Sequence, residues 1–247
     1  MIDILVPPLL LSIVLLFIHS YYGIEIIKRN IIFTDLAVGQ MTAAGVAVSL
    51  YLFEGNYTHL ISLGFAILTS IIIAYINQRE NLSKEAFIGI LYAFGISLVF
   101  IVMSKSPHGL EELNNLLAYD ILFISYQEIF KVSVFYLFIG LFLYFFLNRL
   151  SGFIREIAFF TTFAITLTSS VKLAGVFVVF SILICPPFIS LKLFKKNHIF
   201  YSVIVGTLIV LLSVIVSYNF DLPTGYTIVF FQTLFALMSA LIQFSKR

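Results

Sequence analysis

Residues 199–217 read IFYSVIVGTLIVLLSVIVS, nineteen consecutive residues without a charged side chain. A bilayer core is about 30 Å thick and a helix rises about 1.5 Å per residue, so a membrane-spanning helix needs about 20 apolar residues. The whole chain shares this character, because 61% of its residues are hydrophobic and only 11% are charged. Soluble domains carry roughly 45–50% apolar and about 25% charged residues. The sequence therefore predicts an all-α integral membrane protein.

Apolar runs of similar length recur along the chain with short polar segments between them. The sixth and seventh runs are short or continuous, so eight spans remain an alternative to nine. No polar segment is long enough for a soluble domain, which predicts one transmembrane domain over residues 1–247. The first run has no basic residue before it and is interpreted as a retained helix. The predicted spans are residues 4–26, 35–53, 59–76, 86–103, 128–147, 156–170, 174–191, 199–217 and 224–243.

The lysines and arginines fall mainly in alternate loops, and positive charge marks the cytoplasmic side of membrane proteins. With nine spans and an external N-terminus, eleven basic residues collect on one side and three remain elsewhere. This asymmetry predicts a multi-pass protein of the cell (inner) membrane with a cytoplasmic C-terminus. The eleven are Lys28, Arg29, Arg79, Lys84, Arg149, Arg155, Lys192, Lys195, Lys196, Lys246 and Arg247.

Several polar side chains fall in or beside these spans, although a charge at the bilayer centre costs at least ~2.5–3.5 kcal/mol. Asp35 and Gln40 lie in the second span, Glu85 opens the fourth, and Lys172 lies at the junction of the sixth and seventh. Helix-end pairing with the helix dipole is an alternative role for the two acids. A plain external turn is the alternative for Lys172, whose neighbours otherwise suggest a broken helix of the kind transporters use.

The sequence lacks the motifs of the common enzyme classes. There is no Gly-x-x-x-x-Gly-Lys-Ser/Thr loop, so ATP cannot be bound by a P-loop in this chain. The four histidines are scattered and Cys185 is the single cysteine, which excludes a cysteine-based metal cage. We expect no catalysis, no resident cofactor and no nucleic-acid partner.

Four segments resemble the membrane permeases of ABC-type zinc, manganese and iron importers. Residues 170–186, SVKLAGVFVVFSILICP, resemble the family's basic-x-x-Gly, apolar run and proline signature. Residues 222–229 are similar to the start of its last helix, and residues 85–92 to its acidic-x-x-x-Gly-Ile segment. Residues 35–47 resemble its small-residue second helix. The matches run in the family's order over nearly the whole chain.

The resemblance implies a homodimeric permease that transports a divalent metal ion. Its partners would be a cytoplasmic ATPase, which binds the ATP, and an extracytoplasmic metal-binding protein. The segment from Pro186 to Lys196 would contact the ATPase, and we expect the two prolines to end the preceding helix. An ordinary positive loop is the alternative. The coupling residues implied are Pro186, Pro187, Ser190, Lys192, Lys195 and Lys196.

The expected metal ligands depart from the family pattern. Members carry Asp and His one helical turn apart on the second helix, whereas the residue four after Asp35 is Gly39 and alignment on Gly45 places Gln40 at the histidine. A family histidine in the fourth helix is also missing near Tyr92. The resemblance therefore implies a path along Asp35, Gln40, Glu85, Tyr92 and Lys172 with weakened metal ligation, since an amide binds zinc less well than imidazole.

The segment from Ser106 to Glu112 places His108 and Glu111 three residues apart on the external side. This pair could form an entry or docking site, or the segment could be an ordinary solvated loop. Two other functions also remain open at this point. A stand-alone secondary transporter or cation channel would show an inverted repeat with paired broken helices, and only one candidate break is present. A membrane enzyme would need clustered acids or histidines.

Overall fold

The computed structural model describes residues 2–79, 83–106, 111, 121 and 124–244. Nine helices within these residues are long and apolar enough to cross a membrane. A short 3₁₀ turn, Leu147–Arg149, follows the fifth. The helices are α1 (Ile2–Lys28), α2 (Thr34–Phe53), α3 (Thr58–Asn77), α4 (Lys84–Met103), α5 (Tyr126–Phe145), α6 (Gly152–Ala174), α7 (Val176–Leu193), α8 (His198–Asn219) and α9 (Thr224–Phe244).

The prediction of an all-α bundle is confirmed, and the choice between eight and nine spans resolves to nine within the described residues. Helices α6 and α7 are separate, with only Gly175 between them. Gly175 has φ 80° and ψ 157°, a conformation that residues with a Cβ rarely adopt. Lys172 lies in the last turn of α6, three residues before Gly175, so its predicted place near the junction of the two spans is kept.

The described helices divide into two compact units. The first draws on residues 1–29, 120–137 and 173–247, and in it α7 packs against α1, α8 and α9. A Cβ added at Gly23 of α1 would lie 1.9 Å from the Leu183 carbonyl oxygen, so the two backbones touch. Ser20 and Ser202 share a buried hydrogen bond of 2.8 Å between α1 and α8. Small and hydroxylated residues thus let these helices approach closely, as in other membrane bundles.

The expectation that Pro186 and Pro187 end their helix is wrong, because α7 continues to Leu193. Proline removes one backbone donor and normally breaks a helix. The amide missing at Pro187 would have bonded the Leu183 carbonyl, and that carbonyl instead faces the backbone of Gly23. Membrane helices tolerate proline where a neighbouring helix takes up the freed group. Both prolines are buried.

The second unit draws on residues 30–119 and 138–172, and α2 packs there against both α3 and α4. Gly45 of α2 meets α3, where an added Cβ would lie 2.7 Å from the Ser62 Cα. Gly95 of α4 meets α2, where an added Cβ would lie 3.0 Å from the Gln40 Cβ. The side chains of Thr42 and Thr168 are 3.4 Å apart and join α2 to α6. The number of domains stays a prediction.

Candidate functional site

Asp35 lies in the first turn of α2 and is buried, with 4% of its surface exposed. Helix α2 begins here because the Thr34 hydroxyl donates to the Ile31 carbonyl at 2.7 Å and closes the preceding turn. Among the described residues, Asp35 Oδ1 has no hydrogen-bond partner. Buried carboxylate oxygens are normally paired, and the exceptions call for an explanation. An unpaired hard oxygen donor is suited to a cation.

Gln40 lies on the same helix and is half-buried, where it faces the close approach of α4 at Gly95. Because α3 returns between them, α2 and α4 run in the same direction, so Asp35 and Tyr92 both lie toward the helix N-termini from this contact. At Gly39, one turn after Asp35, an added Cβ would meet no atom within 4 Å. The position one helical turn after Asp35 is therefore open space rather than filled core.

Glu85 and Tyr92 lie on α4 and are less enclosed than Asp35. Glu85 is an exposed acid in the first helical turn, and Tyr92 is half-buried. An acid in that turn also interacts favourably with the helix dipole, so its position agrees with either role considered for it. Their assignment to a transport path stays a prediction.

Lys172 lies at the opposite end of the second unit from Asp35. The Thr42–Thr168 contact fixes the register of α2 and α6, and the intervening residues place Lys172 and Asp35 about 16 Å apart along the helix axes. The Lys172 ammonium donates to His59 Nε2 at 3.0 Å, and both side chains are exposed. Sequence reasoning missed this partner, because His59 is 113 residues away and no spacing relates the two.

The predicted coupling segment is the end of α7 and the turn that joins it to α8. Ser190 is buried, and its hydroxyl donates to the His198 carbonyl at 2.7 Å. His198 Nδ1 donates to the Ser190 carbonyl at 3.3 Å, and Phe194 stacks on Tyr201 with ring centroids 3.9 Å apart. These contacts hold the turn rigidly, while Lys192, Lys195 and Lys196 are exposed.

Glu111 is described and exposed, but His108 lies outside the described residues, so the external pair stays a prediction. Within the described part of the chain, no group of three or more His, Cys, Asp or Glu residues could hold a metal ion. The candidate site is therefore a single buried acid with polar neighbours.

The sequence model of the ABC 3 transport family matches residues 1–154 and 150–243. The chain belongs to this family. The predicted membership is confirmed on nearly the full length, and the chain is a multi-pass membrane protein of the ABC transporter class.

The chain is similar to two metal-transport membrane proteins in sequence and to one solved transporter in fold. The high-affinity zinc uptake system membrane protein ZnuB of Buchnera aphidicola is 25% identical, with 97% of this chain and 98% of that protein aligned. The manganese transport system membrane protein MntB of Synechocystis is 26% identical over 68% of this chain and 60% of that protein. The PsaBC structure from Streptococcus pneumoniae superposes with a TM-score of 0.71 at 20% identity, over 94% of this chain and 89% of that one.

Proposed function

We propose that this chain is the membrane-spanning permease subunit of an ABC importer for a divalent metal ion, zinc, manganese or iron. The full-length similarity to a zinc uptake permease and the partial similarity to a manganese permease support this cargo class. ATP hydrolysis belongs to a separate cytoplasmic ATPase. An extracytoplasmic binding protein delivers the metal, and two copies of the chain form the pathway.

The observation that carries the proposal is the buried carboxylate of Asp35, which keeps one oxygen unpaired. Leaving a buried acceptor unsatisfied costs about 1–3 kcal/mol in the resting protein. Ionisable groups kept inside membrane proteins at such cost mark ion pathways. Asp35 is the ligand for the passing ion, Gln40 and Tyr92 line the path near the contact of α2 with α4, and Glu85 lies at the end of the path.

The end of α7 and the turn after it form the contact with the ATPase. Three exposed lysines surround a turn that the Ser190–His198 hydrogen bonds hold rigid. A rigid turn transmits the movement of a partner to α7 without absorbing it. The positive-inside rule supports a cytoplasmic basic side, where this turn and the C-terminus would meet the ATPase.

The test is metal accumulation in a strain that lacks the gene. Complementation with the wild-type chain and its encoded ATPase should restore one of zinc, manganese or iron, measured as cell metal content. Restoration without any ATPase, or transport by the purified chain alone in vesicles, would instead establish a secondary transporter or channel.

Two variants locate the path in the same assay. Asp35→Ala and Glu85→Ala are each expected to abolish uptake. Glu128→Ala is the matched control, because Glu128 is also an acid in a first helical turn but accepts a hydrogen bond from the Ser125 hydroxyl at 2.9 Å as a helix cap. If uptake survives in both variants, Asp35 and Glu85 act only at the helix ends and do not line the path.

A further inference from the structure

A groove of about 760 Å³ lies between α1 and α8 in the first unit. Its walls are apolar at one end and polar at the other, where α1 ends at Lys28 and α8 begins after Asn197. Its volume falls in the range of about 300–1,000 Å³ that small-ligand sites occupy. The residues that define it include Phe17, Ile24, Lys28, Phe200, Val203 and Ile204.

The groove has the length of one membrane leaflet. From Phe17 to Lys28 helix α1 rises about 16 Å, half the thickness of a bilayer core of about 30 Å. Phe17 and Phe200 are more than half exposed along it, although both are large apolar side chains. An apolar channel that begins at a charged helix end and stops at mid-membrane matches the dimensions of a lipid acyl chain.

The charged end of the groove has an excess of positive charge. Glu25 is the acid that lines it, and its carboxylate pairs with Arg29 at 3.4 Å. Lys28 has no ion-pair partner among the described residues, whereas Lys195 and Lys196 in the adjoining turn belong to the proposed ATPase contact. His198 also lines this end and already uses Nδ1 on the Ser190 carbonyl. Lys28 therefore lacks a counter-anion at this end of the groove.

We propose that the α1–α8 groove binds an anionic phospholipid, with an acyl chain along Phe17, Ile24 and Val203 and the headgroup phosphate at Lys28. Basic pockets between helices at the cytoplasmic face are suited to anionic headgroups. This proposal concerns lipid binding and does not depend on which ion the chain transports.

The charges favour a lipid over a second copy of the chain in this groove. A two-fold interface joins the same patch of both subunits, which would bring the unpaired lysine of one copy toward that of the other. Glu25 cannot neutralise these lysines, because its carboxylate already pairs with Arg29. A phospholipid supplies both the apolar chain and the missing negative charge.

The chain contains no tryptophan, so one introduced tryptophan is a unique fluorescent reporter. Ile204→Trp places it in the groove, and Ile71→Trp on α3 is the matched control. Both isoleucines are 38% exposed, and each lies six residues from the end of its helix on the basic side. Each variant is reconstituted in vesicles of phosphatidylcholine and phosphatidylglycerol in which either lipid alone carries brominated, quenching chains.

At equal bromine content, brominated phosphatidylglycerol should quench Ile204→Trp more strongly than brominated phosphatidylcholine does. One lysine near a membrane surface corresponds to about fivefold local enrichment of anionic lipid. Adding Lys28→Gln should abolish that preference, whereas adding Lys84→Gln, a basic residue at the start of α4 on the same side, should leave it intact. Phe200→Trp is a second groove reporter should Ile204→Trp fail to fold.

Equal quenching by the two lipids would overturn the proposal. An equal preference at Ile71→Trp, or a preference that survives Lys28→Gln, would also overturn it by showing only general attraction of anionic lipid. Absence of quenching at both groove reporters would show that protein, not lipid, fills the groove.

Discussion

Asp35 is the residue on which the transport proposal depends most directly. Asp35→Asn keeps the shape of the side chain and removes its charge, so we expect uptake to be lost. Removal of a buried charge carries no folding penalty of its own, and the thermal unfolding midpoint should stay within about 2–4 °C of the wild type, the shift that 1 kcal/mol produces in a chain of this size. Cell metal content and unfolding in detergent are measured together. Wild-type uptake in this variant would contradict the assignment.

Gly39 offers a gain-of-function test one turn after Asp35. An added Cβ there meets no atom within 4 Å, so a larger side chain can be placed without displacing a neighbour. Gly39→His restores an Asp and a His four residues apart on one helix face, and imidazole is a stronger zinc ligand than an amide. We expect a lower zinc concentration for half-maximal uptake.

Gly39→Ala is the control for that variant, since it occupies the same space without a ligand. Its half-saturating zinc concentration should equal that of the wild type. If the alanine and histidine variants behave alike, the open space at Gly39 has no role in metal binding.

At the scale of the helices, the glycines of α2 and α1 differ in what an added methyl group would meet. Alanine is about 1 kcal/mol better than glycine inside a helix, so Gly39→Ala should raise the unfolding midpoint slightly. Gly45→Ala should lower it, because the Ser62 backbone is 2.7 Å from the added Cβ. Gly23→Ala should be worse still, since it meets the Leu183 carbonyl at 1.9 Å. A common effect at all three positions would show that helix propensity, not packing, dominates.

The lengths of the apolar runs predicted the number and position of the helices well, whereas polar residues gave wrong positions for some helix ends. The sixth span was expected at residues 156–170, but α6 continues to Ala174. Ser170 donates to the Thr166 carbonyl at 2.8 Å, which satisfies its hydroxyl inside the helix. The proline pair wrongly predicted a helix end for the same reason. The contact of Leu183 with Gly23 joins two helices that are far apart in sequence, so it cannot be predicted from the prolines themselves.

The candidate site was only partly predictable for the same reason. An acid at the edge of an apolar run identified Asp35, but its burial and its unpaired oxygen arise from tertiary packing. The open space at Gly39 and the hydrogen bond between Lys172 and His59 leave no signal in the spacing of residues.

At the scale of the whole molecule, the distribution of basic residues predicts the orientation in the membrane. Cys185 is buried and is the single cysteine, so a Cys185→Ala chain is a clean background for labelling. A membrane-impermeant maleimide should label Asn56→Cys in intact cells and label Lys196→Cys only after the cells are opened. Both native side chains are exposed in turns between spans. The reverse pattern would place the lysine-rich turn outside and exclude it from any ATPase contact.

Gly175 has a consequence for biosynthesis. Because it is the one residue between α6 and α7, no hydrophilic loop exists that could be carried across the bilayer before the second helix follows. The translocon therefore receives α6 and α7 as two spans with no polar loop between them, and α7 follows α6 immediately during synthesis.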